Sequence, residues 1–211
     1  MKNPWEEIRL EDYEAHMSLE TVQQLQAMNR MMREQFACSA GGSVMILGVA
    51  GGNGLEHVAP ERFKKIVGVD INPDYLKVCE ARYPALRGIL QLLCVDLTDR
   101  QKELPHADLL VANLLVEYLG YSCFQSVVQR VQPQYVSCAI QVNTDETFVS
   151  DSPYLHVFDR LEEVHHQMDA HELKDTLAEI DYTLVWQEAE QLPNGKVLIR
   201  LDFEIKDSKT V

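Results

Sequence analysis

Val44-Met45-Ile46-Leu47-Gly48-Val49-Ala50-Gly51-Gly52-Asn53-Gly54-Leu55-Glu56 is the stretch whose reading decides the fold. Its unbroken apolar opening predicts a strand, Val44–Gly48, buried on both faces, because a sheet covered on both sides reads as a continuous hydrophobic run. The small residues that follow allow positive φ and let a ligand approach the main chain closely. A helix is expected to begin near Gly54.

Outward from this point the chain alternates apolar runs with helix-period segments, the pattern of an α/β protein with a mostly parallel sheet and helices on both faces. Strands are predicted at Ile66–Asp70, Ile89–Asp96, Asp108–Asn113 and Tyr135–Val142. Pro73 opens a helix at the first-turn position where its missing N–H costs nothing, with Asn72 as cap. Another helix starts near Tyr118. Asp169 caps a third, running to about Ile180, in which Leu173, Leu177 and Ile180 share a face. Tyr182–Leu192 and Lys196–Ile205 flank Pro193, Asn194 and Gly195, and an Asn-Gly pair between two β-rich runs signals an antiparallel hairpin. Ahead of the sheet, residues 4–37 read as helical, with Tyr13, His16 and Met17 on one face and a second helix through Val22, Leu25, Met28 and Met32.

The glycine-rich turn gains meaning from two acids. Asp70 closes Ile66-Val67-Gly68-Val69-Asp70, where a carboxylate can accept both hydroxyls of a ribose. Asp96 closes Leu93-Cys94-Val95-Asp96 and can receive an adenine amino group. All three features fall at the carboxyl ends of expected parallel strands, where open α/β sheets bind ligands.

With these residues the sequence resembles the class I S-adenosylmethionine-dependent methyltransferases, over roughly Val44 to Ile205. The resemblance implies a Rossmann-like seven-stranded sheet ending in an antiparallel hairpin, and S-adenosyl-L-methionine as cofactor with S-adenosyl-L-homocysteine as product. The family's first motif is acidic-x-Gly-x-Gly-x-Gly. Here Gly48 stands at the acidic position, Ala50 at the first glycine, Gly52 at the second and Gly54 at the third, so two of four positions depart. In the family that acid helps orient the loop and the methionine amino group, so the resemblance implies that another group does this here or that binding is weaker. The implied cofactor-binding residues are Gly48, Val49, Ala50, Gly52, Asn53 and Gly54 in the loop, Asp70 with Ile71, Asp96 with Leu97, Asn113 after the fourth strand, and Tyr13 from the N-terminal segment. For Asn113 a structural turn role stands equally open.

Methyl transfer asks mainly for alignment, since the sulfonium supplies the leaving group, so no catalytic residue is dictated. If a general base is used, Glu117, Tyr118 and His16 are the candidates; each also has a plain reading, as a first-turn helix acid, a core aromatic and a surface residue. The segment Trp5–Met17 is expected to fold over the cofactor as a lid, with simple packing on the sheet as the alternative. The apolar insert around Phe148, Pro153, Tyr154, Leu155 and Phe158 is expected to shape the acceptor pocket. His165, His166, Asp169 and His171 lack the i, i+4 histidine pair of a helical zinc site, and no metal is expected.

Composition bounds the rest. The chain has 211 residues, 46% hydrophobic and 25% charged, which suits a single methyltransferase domain: a helical N-terminal lid or extension at 1–40 and a Rossmann-like core at 41–211 with an insert at about 143–168. A net charge of −14 disfavours nucleic acid, whose phosphates need Lys and Arg. No segment reads as a signal or membrane span, and five scattered cysteines read as reduced, so a cytoplasmic location is expected. A small-molecule acceptor is the expected partner; oligomeric state is not legible. The alternative function is a non-catalytic cofactor-binding or regulatory protein on the same fold. An aminopropyltransferase is disfavoured by the helical N-terminus and Asn113, and a nicotinamide enzyme by His57 where its fingerprint needs a small residue.

Overall fold

The computed structural model describes residues 2–39, 41–143 and 148–206. Seven strands form one sheet: β1 (Gly42–Leu47), β2 (Phe63–Asp70), β3 (Leu90–Cys94), β4 (Leu109–Asn113), β5 (Tyr135–Val142), β6 (Tyr182–Gln191) and β7 (Val197–Ile205), in the order β3-β2-β1-β4-β5-β7-β6. β1 to β5 are mutually parallel, and β7 runs antiparallel between β5 and β6. The helices are α1 (Leu10–Ser18), α2 (Gln24–Cys38), α3 (Pro73–Arg82), α4 (Val116–Leu119), α5 (Tyr121–Val131) and α6 (Ala170–Ala178). The chain order reverses between β1 and β4, which opens a crevice at their carboxyl ends.

The opening apolar run is buried on both faces, as its composition requires. Met45 and Leu47 enter the cluster that holds Phe124 and Val128 of α5 and Leu173 and Leu177 of α6. Val44 and Ile46, one step out of phase, enter the cluster that holds Met32 and Phe36 of α2 and Leu76 and Cys79 of α3. The hairpin expected at Asn194-Gly195 forms, with Gly195 at φ +84° and the Lys196 N–H donating to Asn194 Oδ1 at 3.0 Å. Asn72 caps α3 by accepting from the N–H groups of Asp74 and Tyr75, and Asp169 caps α6 by accepting from those of His171 and Glu172.

Four expectations differ locally. The helix expected near Gly54 is a single 3₁₀ turn, Leu55–His57. Residues 48–62 are too few to hold the ligand turn, a full helix and the return to β2, so α2, from ahead of β1, packs into that space instead. β3 ends at Cys94, leaving Asp96 two residues beyond it. The helix expected near Tyr118 is two, broken at Gly120 with φ +71°, and α6 stops at Ala178, short of Ile180.

The N-terminal segment crosses the carboxyl edge of the sheet. Asn3 starts it with a capping box: its Oδ1 accepts from Trp5 N–H, and its own N–H donates to Glu6 Oε1. Asn72 Nδ2 donates to the carbonyls of Trp5 (3.0 Å) and Ile8 (3.4 Å), and Arg82 forks onto Glu14. On the far side Ile8 packs with Phe158 and Leu161 of the insert, and Arg160 pairs with Glu7. Within the insert, residues 144–147 lie outside the described residues; a 3₁₀ helix spans Leu155–Glu163. No helix among the described residues is long and apolar enough to cross a membrane.

Candidate functional site

Two cavities lie side by side under the N-terminal segment. The first, about 740 Å³ with its mouth, sits over the carboxyl ends of β1, β2 and β4. Its floor is the turn after β1, where the backbone is left-handed at Gly48 (φ +65°) and Ala50 (φ +46°). Ala50 holds this conformation with a side chain, at a steric cost of about 1–2 kcal/mol. Its N–H donates to Asp70 Oδ2 at 2.9 Å, while Asp70 Oδ1 accepts from Asn72 N–H at 2.9 Å. One buried carboxylate thus clamps the loop to the end of β2. Burial raises the Asp70 pKa, and the amide hydrogen bonds oppose that rise.

This clamp answers the departure at Gly48. A Cβ built there would lie 3.2 Å from Leu115 Cδ1, on a left-handed backbone, so an acidic side chain at this position would press on Leu115 and strain the turn. Asp70 orients the loop from the neighbouring strand.

Of the twelve residues expected to bind cofactor, eight line this cavity: Gly48, Ala50, Asp70, Ile71, Asp96, Leu97, Asn113 and Tyr13. Asp96, exposed at the mouth, is held by an Asx turn in which Oδ1 accepts from the Thr98 N–H and hydroxyl. Asn113 exchanges two 2.8 Å hydrogen bonds with the fully buried Gln35, so its amide is committed to α2. The other four do not line it, although Val49 and Asn53 line an adjoining cavity that shares Tyr13, Gly48, Ala50 and Asn113 with the first. Val49 packs against Gly68, and the space beside Gly52 is filled by Tyr83 and Cys79. Gly54 lies under Met32, and Asn53 bonds Leu25 and Asn29. The absence of a side chain at Gly52 and Gly54 lets Cys79 of α3, Tyr83 beyond it and Met32 of α2 pack on the loop.

The second cavity, about 530 Å³ with its mouth, shares Trp5, Tyr13, Leu114 and Tyr118 with the first. It gathers all three base candidates, Glu117, Tyr118 and His16. His16 is buried, not at the surface; its Nδ1 lies 2.8 Å from Ser152 Oγ, and burial lowers its pKa. Glu117 enters from the first turn of α4 at 3% exposure. Its Oε1 accepts from Gln141 N–H at 2.6 Å, and burial pushes its pKa up to about 7. Phe148 and Phe158 of the insert line the same cavity, whereas Pro153 is exposed and Leu155 half-buried outside it. His165 stacks on Phe148 at 4.0 Å, His171 pairs with Asp175, and Asp169 caps α6, so these polar residues go to separate tasks.

Sequence reasoning missed Tyr75, Leu114, Gln24 and Gln141. Gln141 had a signal, a lone amide inside the apolar run of β5, and it bonds Gln24 across the cavity. Leu114 sits at φ +52°, a strained conformation of the kind that collects at ligand sites, and nothing in its sequence announces it.

The buried side-chain polar atoms without a partner among the described residues are Trp5 Nε1, Tyr75 OH and Glu117 Oε2. Trp5 lines both cavities, Tyr75 the first and Glu117 the second. Native proteins rarely leave such groups unsatisfied, so their gathering around one pair of cavities makes that place the candidate site.

No protein-family model and no curated protein matches this chain. Solved structures do. The N-methyltransferase NodS of Bradyrhizobium japonicum, determined with S-adenosyl-L-homocysteine, aligns at TM-score 0.65 and 15% identity over 94% of this chain and 98% of its own. A geranyl diphosphate C-methyltransferase of Streptomyces coelicolor aligns at 0.66 and 10% identity, over 87% and 81%. The [4+2]-cyclase SpnF aligns at 0.65 and 13%, over 87% and 82%. At such identities likeness speaks for architecture only, and the architecture is that of the class I methyltransferase structures: a parallel Rossmann-like core closed by an antiparallel C-terminal hairpin.

Proposed function

We propose that the chain is an S-adenosylmethionine-dependent methyltransferase acting on a small-molecule acceptor, built as one domain with its N-terminal segment as the roof of the site. The observation that carries this reading is the pair of connected cavities, one bounded by the β1 turn and Asp70, the other aromatic, with orphaned polar atoms in both. NodS was determined with S-adenosyl-L-homocysteine, and a magnesium protoporphyrin IX methyltransferase of the same fold with S-adenosyl-L-methionine.

When bound, the cofactor supplies an activated methyl group. The chain's residues hold and orient it. Each Asp70 oxygen has lone pairs beyond those given to Ala50 and Asn72, which suits two ribose hydroxyls. Asp96 and Leu97 suit the base, Tyr13 and the unpartnered Tyr75 hydroxyl suit the polar end, and Trp5 and Tyr118 exclude water where the cavities meet. A net charge of −14 supports a partner other than nucleic acid, and five free cysteines support a reducing, cytoplasmic compartment.

Isothermal titration of wild type and Asp70→Ala with S-adenosyl-L-homocysteine tests the reading. Wild type is expected to bind, and the variant to lose at least about tenfold in affinity, since hydrogen bonds to a charged group are worth about 1.5–3 kcal/mol. A wild type that binds neither cofactor form overturns the proposal. Because SpnF carries a cyclase on this fold, methylated product in an acceptor assay separates an enzyme from a protein that only binds.

A further inference from the structure

Among the described residues that line the second cavity, Glu117 is the one carboxylate and there is no Lys or Arg. Aromatic rings make most of the wall: Trp5, Tyr13, Tyr118, Phe148 and Phe158. Trp5 stands edge-on to Tyr13 (5.7 Å, 82°) and to Tyr118 (4.9 Å, 85°), which fixes the rings as a box. The two imidazoles, His16 and His165, are kept neutral by burial, His165 with its pKa pushed down to about 4. Lys196, whose charge contributes to both shifts, has its Nζ bonded to Asn143. Among the described residues, a carboxylate oxygen with no hydrogen-bond partner therefore shares a cavity with aromatic rings and with no lining Lys or Arg. The ligand chemistry that satisfies both is an ammonium, because ring faces and a carboxylate attract positive charge and a buried carboxylate needs a charged donor.

Resting on the methyltransferase reading above, we infer that the acceptor is an amine, seated in the second cavity with its nitrogen at Glu117 Oε2 and methylated on that nitrogen. The ammonium enters with its positive charge and gives one proton to Oε2, which frees the nitrogen lone pair. That pair forms the N–C bond to the methyl carbon of the sulfonium donor as the C–S bond breaks, its electrons returning to sulfur. The product leaves as the methylated ammonium, and Glu117 releases its proton to water. His16, Tyr13, Tyr118 and His165 are the titratable side chains that share the cavity with Glu117, and Tyr118 and Cys138 are those whose own ionisation its charge opposes.

The test uses full-length protein saturated with S-adenosyl-L-homocysteine, in a Trp186→Phe background so that Trp5 fluorescence reports the cavity; Trp186 is 55% exposed on β6. The probes are alkyl and aralkyl amines from methylamine to phenethylamine, each beside the alcohol of the same skeleton. At least one amine is expected to bind about tenfold or more tighter than its alcohol. Glu117→Gln keeps an acceptor for the Gln141 N–H and is expected to erase that preference while S-adenosyl-L-homocysteine affinity stays unchanged. Phe148→Leu, which removes one ring, is expected to weaken amines several-fold more than alcohols and serves if the first variant does not fold. Alcohols bound as tightly as their amines, no amine bound, or a preference that survives both substitutions overturns the inference. In each of those cases retained S-adenosyl-L-homocysteine binding leaves the methyltransferase reading standing, whereas loss of that binding in wild type sinks the reading itself.

Discussion

Glu117 carries most of its consequence through burial. Its folded pKa of about 7 stands above the ordinary carboxyl value, so the folded state binds its proton more tightly than the unfolded chain does. The sign follows: the contribution to stability is full below the ordinary carboxyl range and is lost as pH rises from about 4.5 through about 7, by up to about 3 kcal/mol. Denaturant titrations of wild type and Glu117→Gln at pH 5 and pH 8 should show wild type losing more stability than the variant over that interval; parallel losses would refute it. Gly54 is a second residue whose role is steric. A Cβ there would lie 2.6 Å from Met32 Cβ, on a backbone at φ +90°, so Gly54→Ala should cost about 2–3 kcal/mol by chemical denaturation. A stability within about 0.5 kcal/mol of wild type would mean that α2 shifts freely over the loop. Both residues are visible in the sequence, Gly54 as part of the glycine motif and Glu117 as a helix acid. The sequence could not tell that Gly54 answers to Met32, or that Glu117 is enclosed, because both facts depend on which helix lands where.

Among the elements, the turn from β2 into α3 joins the loop, the helix and the roof. Asn72 caps α3 with its oxygen and holds the carbonyls of Trp5 and Ile8 with its nitrogen, and its N–H bonds Asp70. Asn72→Ala should therefore cost about 2 kcal/mol, more than the roughly 1 kcal/mol of an ordinary cap, whereas Asn72→Asp should keep the cap and lose only the tether. Thermal denaturation of the two variants separates these contributions: equal losses would show that the cap carries none, and an Asn72→Asp variant as stable as wild type would show that the tether carries none. The cap was legible from Asn72-Pro73 alone, since Pro at the first helical position and Asn before it are local signals. The tether was not, because Trp5 lies 67 residues away and the two meet only once the N-terminal segment crosses the sheet. The missing helix after β1 is likewise a matter of space: residues 48–62 are too few for it, and α2, from ahead of β1, fills the gap.

Across the whole molecule, the N-terminal segment and the insert meet over the crevice, with Ile8 against Phe158 and Leu161 and Glu7 against Arg160. Trp5 and Tyr13 contribute walls to both cavities, so a ligand in the first rests on the segment that also bounds the second. Ligand binding should slow local opening of that segment by mass action. Amide exchange at residues 5–18 is expected to slow by at least about tenfold in saturating S-adenosyl-L-homocysteine, while α6, on the far side, changes little. Unchanged exchange at 5–18 would show that the segment is packed on the sheet and does not close over ligand.

The sequence by itself determined the sheet, its parallel core and its C-terminal hairpin, because strand burial, caps and turns are written in short-range patterns of apolar, Gly, Pro and Asn residues. It also placed Asp70 beside the glycine turn, since both sit at strand ends fixed by those patterns. Only the tertiary structure decided that Asp70 clamps the turn beside Gly48, that Gly52 and Gly54 make room for Tyr83, Cys79 and Met32, and that Glu117 shares one aromatic box with residues more than a hundred positions distant in the chain. Enclosure depends on elements remote in sequence coming to rest against one another, and no local pattern encodes where they meet.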